Sequence, residues 1–361
     1  MDNNNNILCI ASFLPDLSGH GGNRRTAQIA ELIESAGLGI ENAKHTGSTR
    51  FARYIRGISI YARNNFNHLK GYSILGTWGH SYIGYKTSFE QHLGHKLVVW
   101  ESTTDPVVTY LAEDNKYKTI AVPQNIESLV ASYGDYPNLK SVLSNLENEV
   151  CHLAKSDAIF CISREEQWLL KLFGIESDFL PYYPAKQIFN ELLDIRKSRT
   201  SSEKSRFLVL GTANNPPTLI GMIEQIKILV EIRKEVSFEV DIAGYGTESL
   251  GEHCIDANIN LLGTISVSKL HDLMKGAIAV LIHQKAGVGA LTRIPEMLIA
   301  GIPVIANANA CRSAFTYEGT YCYDDKSELA ELMTKNLSMP EVLPRPKEAE
   351  KRFIDSLLAL I

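Results

Sequence analysis

The stretch that most constrains this chain is residues 277–306, AIAVLIHQKAGVGALTRIPEMLIAGIPVIA. The apolar run Ala277–His283 has the length and composition of a strand buried on both faces. A loop carrying Gly287 and Gly289 follows, and a helical pattern opens near Leu291. It closes at Ala300-Gly301, where glycine supplies the left-handed residue that ends many helices. Pro303 then begins a second apolar run. Strand, helix and strand in succession form a βαβ unit, and parallel strands joined in this way need helices on their faces.

The same alternation runs through the rest of the chain. In the first half, strands are expected at Ile7–Phe13, Tyr72–Gly76, Lys96–Trp100, Lys118–Val122 and Ala158–Ile162. A glycine-rich turn (Ser18–Gly22) and a helix over Asn23–Ala36 follow the first of them. In the second half, strands are expected at Arg206–Gly211, Phe238–Gly244, Asn260–Leu262 and Pro303–Ala306. Helices are expected there at Pro217–Lys234, Ser266–Lys275 and Thr292–Ala300. At 361 residues the chain is too long for one core and suits two. The expected class is therefore α/β, with two doubly wound domains. Residues 1–190 form the first, and 191–205 a linker whose core, IRKSRTSSEKS, is rich in Ser and charge. Residues 206–345 form the second, and a last helix, 346–361, returns to pack on the first. Leu180-Pro-Tyr-Tyr-Pro184 reads as an extended exit from the first domain.

Composition excludes several classes. Hydrophobic content of 45%, charged content of 21% and a net charge of -5 suit a globular enzyme and argue against a nucleic-acid binder. The six cysteines show neither C-x-x-C pairs nor zinc spacing, and read as reduced thiols of a cytoplasmic protein. MDNNNN lacks the basic and apolar regions of a signal peptide, and no apolar run reaches membrane-spanning length.

Charge is unevenly spread. No acidic residue lies between Glu41 and Glu90, while Lys44, Arg50, Arg53, Arg56, Arg63, Lys70 and Lys86 do. Within that stretch Thr49–Arg63 is amphipathic at helical spacing, with Phe51, Tyr54, Ile55 and Ile58 on one side. The ordinary expectation packs that side into the core and solvates the arginines. The sharper one lays it peripherally on an anionic membrane, at the inner face.

Chemistry concentrates at 287–296. Glycines ahead of a helix let backbone N–H groups approach an anion, and the helix dipole favours negative charge there. Arg293, in the first turn, can reach a diphosphate. Glu296, three residues on, shares that face and suits two ribose hydroxyls. The plain alternative is a βαβ turn with Arg293 and Glu296 as a local ion pair.

This segment resembles the donor-site motif of family 4 glycosyltransferases (glycosyl transferases group 1) of the GT-B fold, in their Gly-x-Gly…Arg-x-x-Glu branch. The matching residues are Gly287, Gly289, Arg293, Glu296, Ala300, Gly301, Pro303 and Val304. Many members carry a further Glu eight residues before the later one; Val288 stands there in this chain. Phe207–Pro217 resembles the first strand and turn of the family's donor domain, with Gly211 and Thr212. Asp241–Gly246 resembles its Gly-x-Gly turn, with Gly244 and Gly246, and Leu262-Gly-Thr264 its segment near the nucleobase. In the first domain Gly21-Gly22 resembles the acceptor-side glycine loop, and Gln124-Asn125-Ile-Glu127 a segment often written His-Asn-x-Glu.

The resemblance implies two facing Rossmann-like domains with the active cleft between them. It implies transfer of a sugar from a nucleotide-diphosphate sugar to a hydroxyl of a glycan, lipid-linked or small-molecule acceptor. The reaction would be retaining, with no metal and no cofactor. Arg293 would hold donor phosphate and Glu296 the ribose. Gly22, Ala290, Thr292 and the turns at Gly211, Thr212, Gly244, Gly246 and Thr264 would complete the donor site. His20, Gly21, His80, Glu101 and Asn125 would face the acceptor. His80, just past an expected strand end, ranks first as catalytic acid or base, with Glu101 and Asp105 as alternatives. Two rivals remain: a nucleotide-sugar epimerase on the same fold, and a non-catalytic subunit supporting a partner enzyme.

Overall fold

The computed structural model describes residues 5–17, 19–47, 49–63, 78–101, 103, 106–130, 139–199, 206–254, 258–285 and 288–361. The strand expected at Tyr72–Gly76, together with Ser18, Asp105 and Gly287, lies outside them.

In chain order the first half holds β1 (Asn6–Ile10), α1 (Gly21–Ser35), β2 (Gly39–Asn42), α2 (Arg50–Arg63), α3 (Gly79–Gln91) and β3 (Leu97–Trp100). There follow α4 (Val107–Asn115), β4 (Lys118–Ala121), α5 (Leu139–Leu153), β5 (Ala158–Cys161), α6 (Arg164–Leu172) and β6 (Asp178–Phe179). These strands make one parallel sheet in the order β2-β1-β3-β4-β5-β6. The second half holds α7 (Lys186–Lys197), β7 (Arg206–Leu210), α8 (Pro216–Ile232), β8 (Glu239–Ala243), β9 (Ile259–Gly263), α9 (Val267–Gly276) and β10 (Ala279–Ile282). It ends with α10 (Arg293–Ile299), β11 (Val304–Asn307), α11 (Ala308–Cys311), β12 (Thr320–Tyr323), α12 (Lys326–Thr334) and α13 (Lys347–Leu360). Its sheet is also parallel, in the order β12-β11-β10-β7-β8-β9.

Alternate residues of each central strand feed opposite faces, as the pleat requires. Leu97 and Val99 of β3 meet Ile29 and Leu32 of α1. Val98 and Trp100 meet Phe89 and Tyr110 on the other side. In the second sheet, Phe207 and Leu281 lie with Leu229 of α8, while Leu208 and Val280 lie with Leu298 of α10. Local signals set the helix ends. The Ser163 and Ser266 hydroxyls accept from the backbone N–H three residues on, both at 3.2 Å. Gly301, at φ 77°, closes α10, and the Ile302 N–H reaches the Met297 carbonyl at 2.8 Å.

The structure departs from expectation in two helices. Helix α7 continues to Lys197, over the first residues expected to be linker. Ile188, Leu192 and Ile195 form a helical stripe that buries beside Leu208 and Val280 of the second sheet. Helix α2 turns the other way from its ordinary expectation. Phe51, Tyr54, Ile55 and Ile58 are all exposed, between 42% and 76%, while Gly57 and Ile60 face inward. The helix is held by its arginines instead: Arg56 lies over the Tyr82 ring of α3 at 4.6 Å, and Arg63 pairs with Glu113 and Asp114 around α4. No helix among the described residues is long and apolar enough to cross a membrane.

The chain passes between the sheets twice, ahead of α7 and ahead of α13. Phe353 of α13 is fully buried and meets Phe160 of β5 edge-on, with ring centroids 5.1 Å apart. The Tyr183 hydroxyl of one passage donates to the Leu343 carbonyl of the other at 3.1 Å. Both passages end on Glu31 of α1, which accepts from the Lys186 N–H at 2.6 Å and from Arg345 at 2.9 Å.

Candidate functional site

Strand order reverses between β1 and β3 in the first sheet and between β10 and β7 in the second. At such a point, loops leaving the carboxyl ends of neighbouring strands diverge and open a crevice. Here the two crevices face each other. Gly21, at the start of α1, lies so near Thr292 that a Cβ would stand 2.7 Å from its Oγ1. Gly289, at φ 76°, lies against Asn125, with room for no side chain.

The second-domain wall is built from successive strand-end turns. The Gly211 N–H reaches the Ala243 carbonyl at 3.2 Å, Ala213 reaches Tyr245 at 2.9 Å, and Gly244 reaches Gly263 at 2.9 Å. These bonds line up the turn holding Gly211 and Thr212, the turn holding Gly244 and Gly246, and the segment before Thr264. Thr264 is itself fixed by its N–H on Glu248, at 2.6 Å. Arg293 donates to the Leu210 carbonyl. Burial pushes its guanidinium down to about 10, which leaves it charged at neutral pH. Ala290 and Leu291 line a small pocket that Ile162, Pro181 and Tyr182 of the first domain also line.

Glu296 is buried, and its partners come from the other domain. Arg24 of α1 forms an ion pair with Oε2, and the Tyr182 hydroxyl donates to Oε1 at 2.6 Å. The local Arg293–Glu296 pair allowed by sequence spacing is thus replaced by a bridge across the cleft. Arg24 and Arg25 part company. Arg24 faces the cleft, while Arg25 is 1% exposed and donates to Gln28 at 2.6 Å and to the Pro181 carbonyl at 3.4 Å.

On the first-domain wall Glu101, at the end of β3, is buried. It accepts from Thr26 Oγ1 at 2.8 Å and from Gln124 Nε2 at 3.4 Å. Burial pushes its carboxyl up to about 7, against the lowering effect of the Thr26 hydrogen bond and of Arg25. Gln124 also reaches the Gly22 carbonyl at 3.4 Å, so this network ends at the glycine loop. His20 caps α1, its Nδ1 accepting from the Gly22 N–H at 3.1 Å. The Asn125 amide donates to Glu127 at 3.2 Å.

The structure therefore gathers His20, Gly21, Gly22, Glu101, Asn125, Gly289, Thr292, Arg293 and Glu296 along one seam. His80 has a different neighbour. It lies in the first turn of α3, its ring 4.3 Å from that of His45, and its buried Nδ1 has no hydrogen-bond partner among the described residues. Sequence reasoning missed Tyr182 and Thr26. For Tyr182 the signal was the extended Leu180–Pro184 exit, because a chain crossing between two domains skirts the cleft they enclose.

No family model and no curated protein matches the chain significantly. Solved structures do match, over nearly its whole length. HepE from Anabaena in complex with UDP-glucose aligns with a TM-score of 0.60 at 13% identity, over 99% of this chain and 100% of that one. The α,α-trehalose 6-phosphate synthase of Burkholderia multivorans aligns with a TM-score of 0.60 at 11% identity, over 99% and 96%. The UDP-GlcNAc 2-epimerase of Methanocaldococcus jannaschii, in complex with UDP-GlcNAc and UDP, aligns with a TM-score of 0.52 at 15% identity, over 98% and 99%. At such identities the likeness is one of fold: an α/β chain of the GT-B type, with two Rossmann-like domains.

Proposed function

We propose that the chain is a glycosyltransferase that moves a sugar from a nucleotide-diphosphate sugar to a hydroxyl acceptor. The observation that carries this reading is the placement of Arg293 and Glu296 one turn apart on α10, at a seam where Gly21 meets Thr292 and Asn125 meets Gly289. In this reading Glu296 takes the ribose hydroxyls and Arg293 the diphosphate. The turns at Gly211, Thr212, Gly244, Gly246 and Thr264, with Gly22, Gly289, Ala290 and Thr292, surround the rest of the donor. The acceptor approaches from His20, Gly21, Asn125, Glu101 and His80. Negative charge grows on the departing diphosphate, and fixed cations in a water-poor cleft stabilise it. The reaction is read as retaining and metal-independent, with arginines supplying the positive charge.

HepE supports a sugar nucleotide as the donor, through the UDP-glucose it holds. The fold neighbour that epimerises UDP-GlcNAc keeps a second reading open. Formation of an epimer without any acceptor would mark that activity. Lack of any nucleotide binding would favour a non-catalytic subunit.

We further infer a cytoplasmic protein of polysaccharide assembly that works at the inner face of a membrane. Support for the membrane contact comes from α2, whose outward side joins four exposed apolar residues to Arg50 in a stretch without acids from 42 to 89.

The donor site is tested by a thermal-shift panel of UDP, GDP, dTDP, ADP and CMP on the native chain and on Arg293→Ala. One nucleoside diphosphate is expected to raise the melting temperature of the native chain and not of the variant. No shift with any nucleotide would overturn the reading.

A further inference from the structure

The ribose-binding role given to Glu296 meets an obstacle on the first-domain side. Both of its carboxylate oxygens are already taken, Oε2 by Arg24 and Oε1 by the Tyr182 hydroxyl. Each oxygen could accept a second hydrogen bond, but the side chain is only 5% exposed, so a ribose gains access to that carboxylate by displacing one of the two. Arg24 is the charged one, and its side chain is 24% exposed. A part-buried guanidinium that loses its carboxylate is stabilised by another anion close by, beyond the longer-range charge of Glu191.

A sugar nucleotide brings that anion itself, because the diphosphate is attached to the same ribose. We propose that Arg24 is a phosphate ligand for the donor, supplied by the first domain and held on Glu296 until a ribose takes that carboxylate. This rests on the glycosyltransferase reading of the cleft.

The geometry suits the exchange. Arg24 Nε donates to the Gly19 carbonyl at 3.2 Å, which anchors the inner end of the guanidinium and leaves its outer nitrogens to change partner. The planar fork pairs with a phosphate as well as with a carboxylate. Arg24 stands in the first turn of α1, three residues from Gly21, which touches Thr292 immediately before Arg293. Arg293 is held on the Leu210 carbonyl, so the two arginines approach the seam from opposite domains. Tyr182 keeps its proton, because burial and the adjacent Glu296 both raise it, and it remains a donor to Glu296 throughout.

This arrangement gives Arg24 two effects of opposite sign. For a bare nucleoside it is a competitor: the ribose must break an ion pair and brings no anion to replace it. For a nucleoside diphosphate it is a ligand. A residue that only shaped the fold would move both affinities in the same direction.

The test is calorimetric titration of the full chain with uridine and UDP, and with guanosine and GDP, for the native protein, Arg24→Ala and Arg24→Lys. Arg24→Ala should bind the preferred diphosphate on the order of tenfold more weakly. It should bind the matching nucleoside as well as the native protein or better. Arg24→Lys should recover part of the diphosphate affinity. Arg24→Gln replaces the alanine variant if that one melts early. Undiminished diphosphate binding, or equal losses for nucleoside and diphosphate, would overturn the proposal while leaving the donor site standing. A native chain that binds no nucleotide would overturn both.

Discussion

Gly289 of the second domain lies so close to Asn125 of the first that a Cβ on it would stand 2.2 Å from the Asn125 Oδ1. The residue is also left-handed, at φ 76°, which costs an L side chain roughly 1–2 kcal/mol. Gly289→Ala should therefore force the seam apart, lower the melting temperature and weaken nucleoside diphosphate binding. Adding Asn125→Gly should relieve the collision with that side chain, but neither the Gln124 carbonyl, 3.0 Å from the same Cβ, nor the strained backbone, so the double variant should recover only part of the loss. A double-mutant cycle by calorimetry and melting checks this. A Gly289→Ala protein with native affinity would show that the two loops do not close on the ligand.

Tyr182→Phe removes one hydrogen bond to a buried carboxylate and leaves the ring in place. Loss of a bond to a charged group costs about 1.5–3 kcal/mol. The variant should unfold at lower denaturant than the native chain by that amount. An unchanged midpoint would mean that Glu296 is satisfied without the tyrosine.

The Glu101 carboxyl is pushed up from 4.5 to about 7 by burial. Between those values the folded state holds a proton that the unfolded state has lost. Stability therefore falls as pH rises through this window, and the full penalty applies above pH 7. Glu101→Gln stays neutral and can still accept from Thr26. It should match the native protein near pH 4.5 and exceed its stability at pH 8, by on the order of 3 kcal/mol. Glu166 and Glu149, raised by burial to about 7 and about 6, will leave a residual slope in both proteins. Denaturation from pH 4.5 to 8 provides the test, and equal slopes for the two would refute it.

Phe51→Ser with Ile55→Ser should leave stability within about 0.5 kcal/mol, since both side chains already face solvent. Ile60→Ala, on the buried side of the same helix, should cost about 2–4 kcal/mol. Only the outward pair should reduce binding to anionic vesicles at low salt, measured by flotation. Vesicle binding that ignores the outward pair would remove the membrane contact.

The parts of the fold that were legible share a physical reason. β10, α10 and β11 are visible because central parallel strands are apolar throughout and Gly301 marks the turn between helix and strand. β2, reading GIEN, and β12, reading TYCY, are edge strands, and they carry too little apolar patterning to declare themselves. Helix α2 was legible as amphipathic but not in its direction. Periodicity shows that a helix has an apolar side; which side turns in depends on tertiary contacts, here those of Arg56 and Arg63 with α3 and α4 among them. Arg293 and Glu296 could be placed on one helix face because they are close in sequence. Arg24 and Arg25 are neighbours about 100° apart on one helix, and nothing local tells which enters the core. Tyr182 reaches Glu296 across 114 residues, a separation that no local pattern bridges.

Both passages of chain between the domains are fastened to one residue, with Lys186 and Arg345 on the two oxygens of Glu31. Two tethers at one point act as a pivot pin: sliding one domain along the other would pull on both, and rotation about the pin pulls on neither. Gly21 and Glu31 share helix α1, ten residues and so about 15 Å apart. With that lever arm, a swing of about 10° displaces the glycine loop by roughly 2.5 Å, the width of a hydrogen bond. Any rotation about Glu31 would thus be read out at Gly21, at the other end of α1.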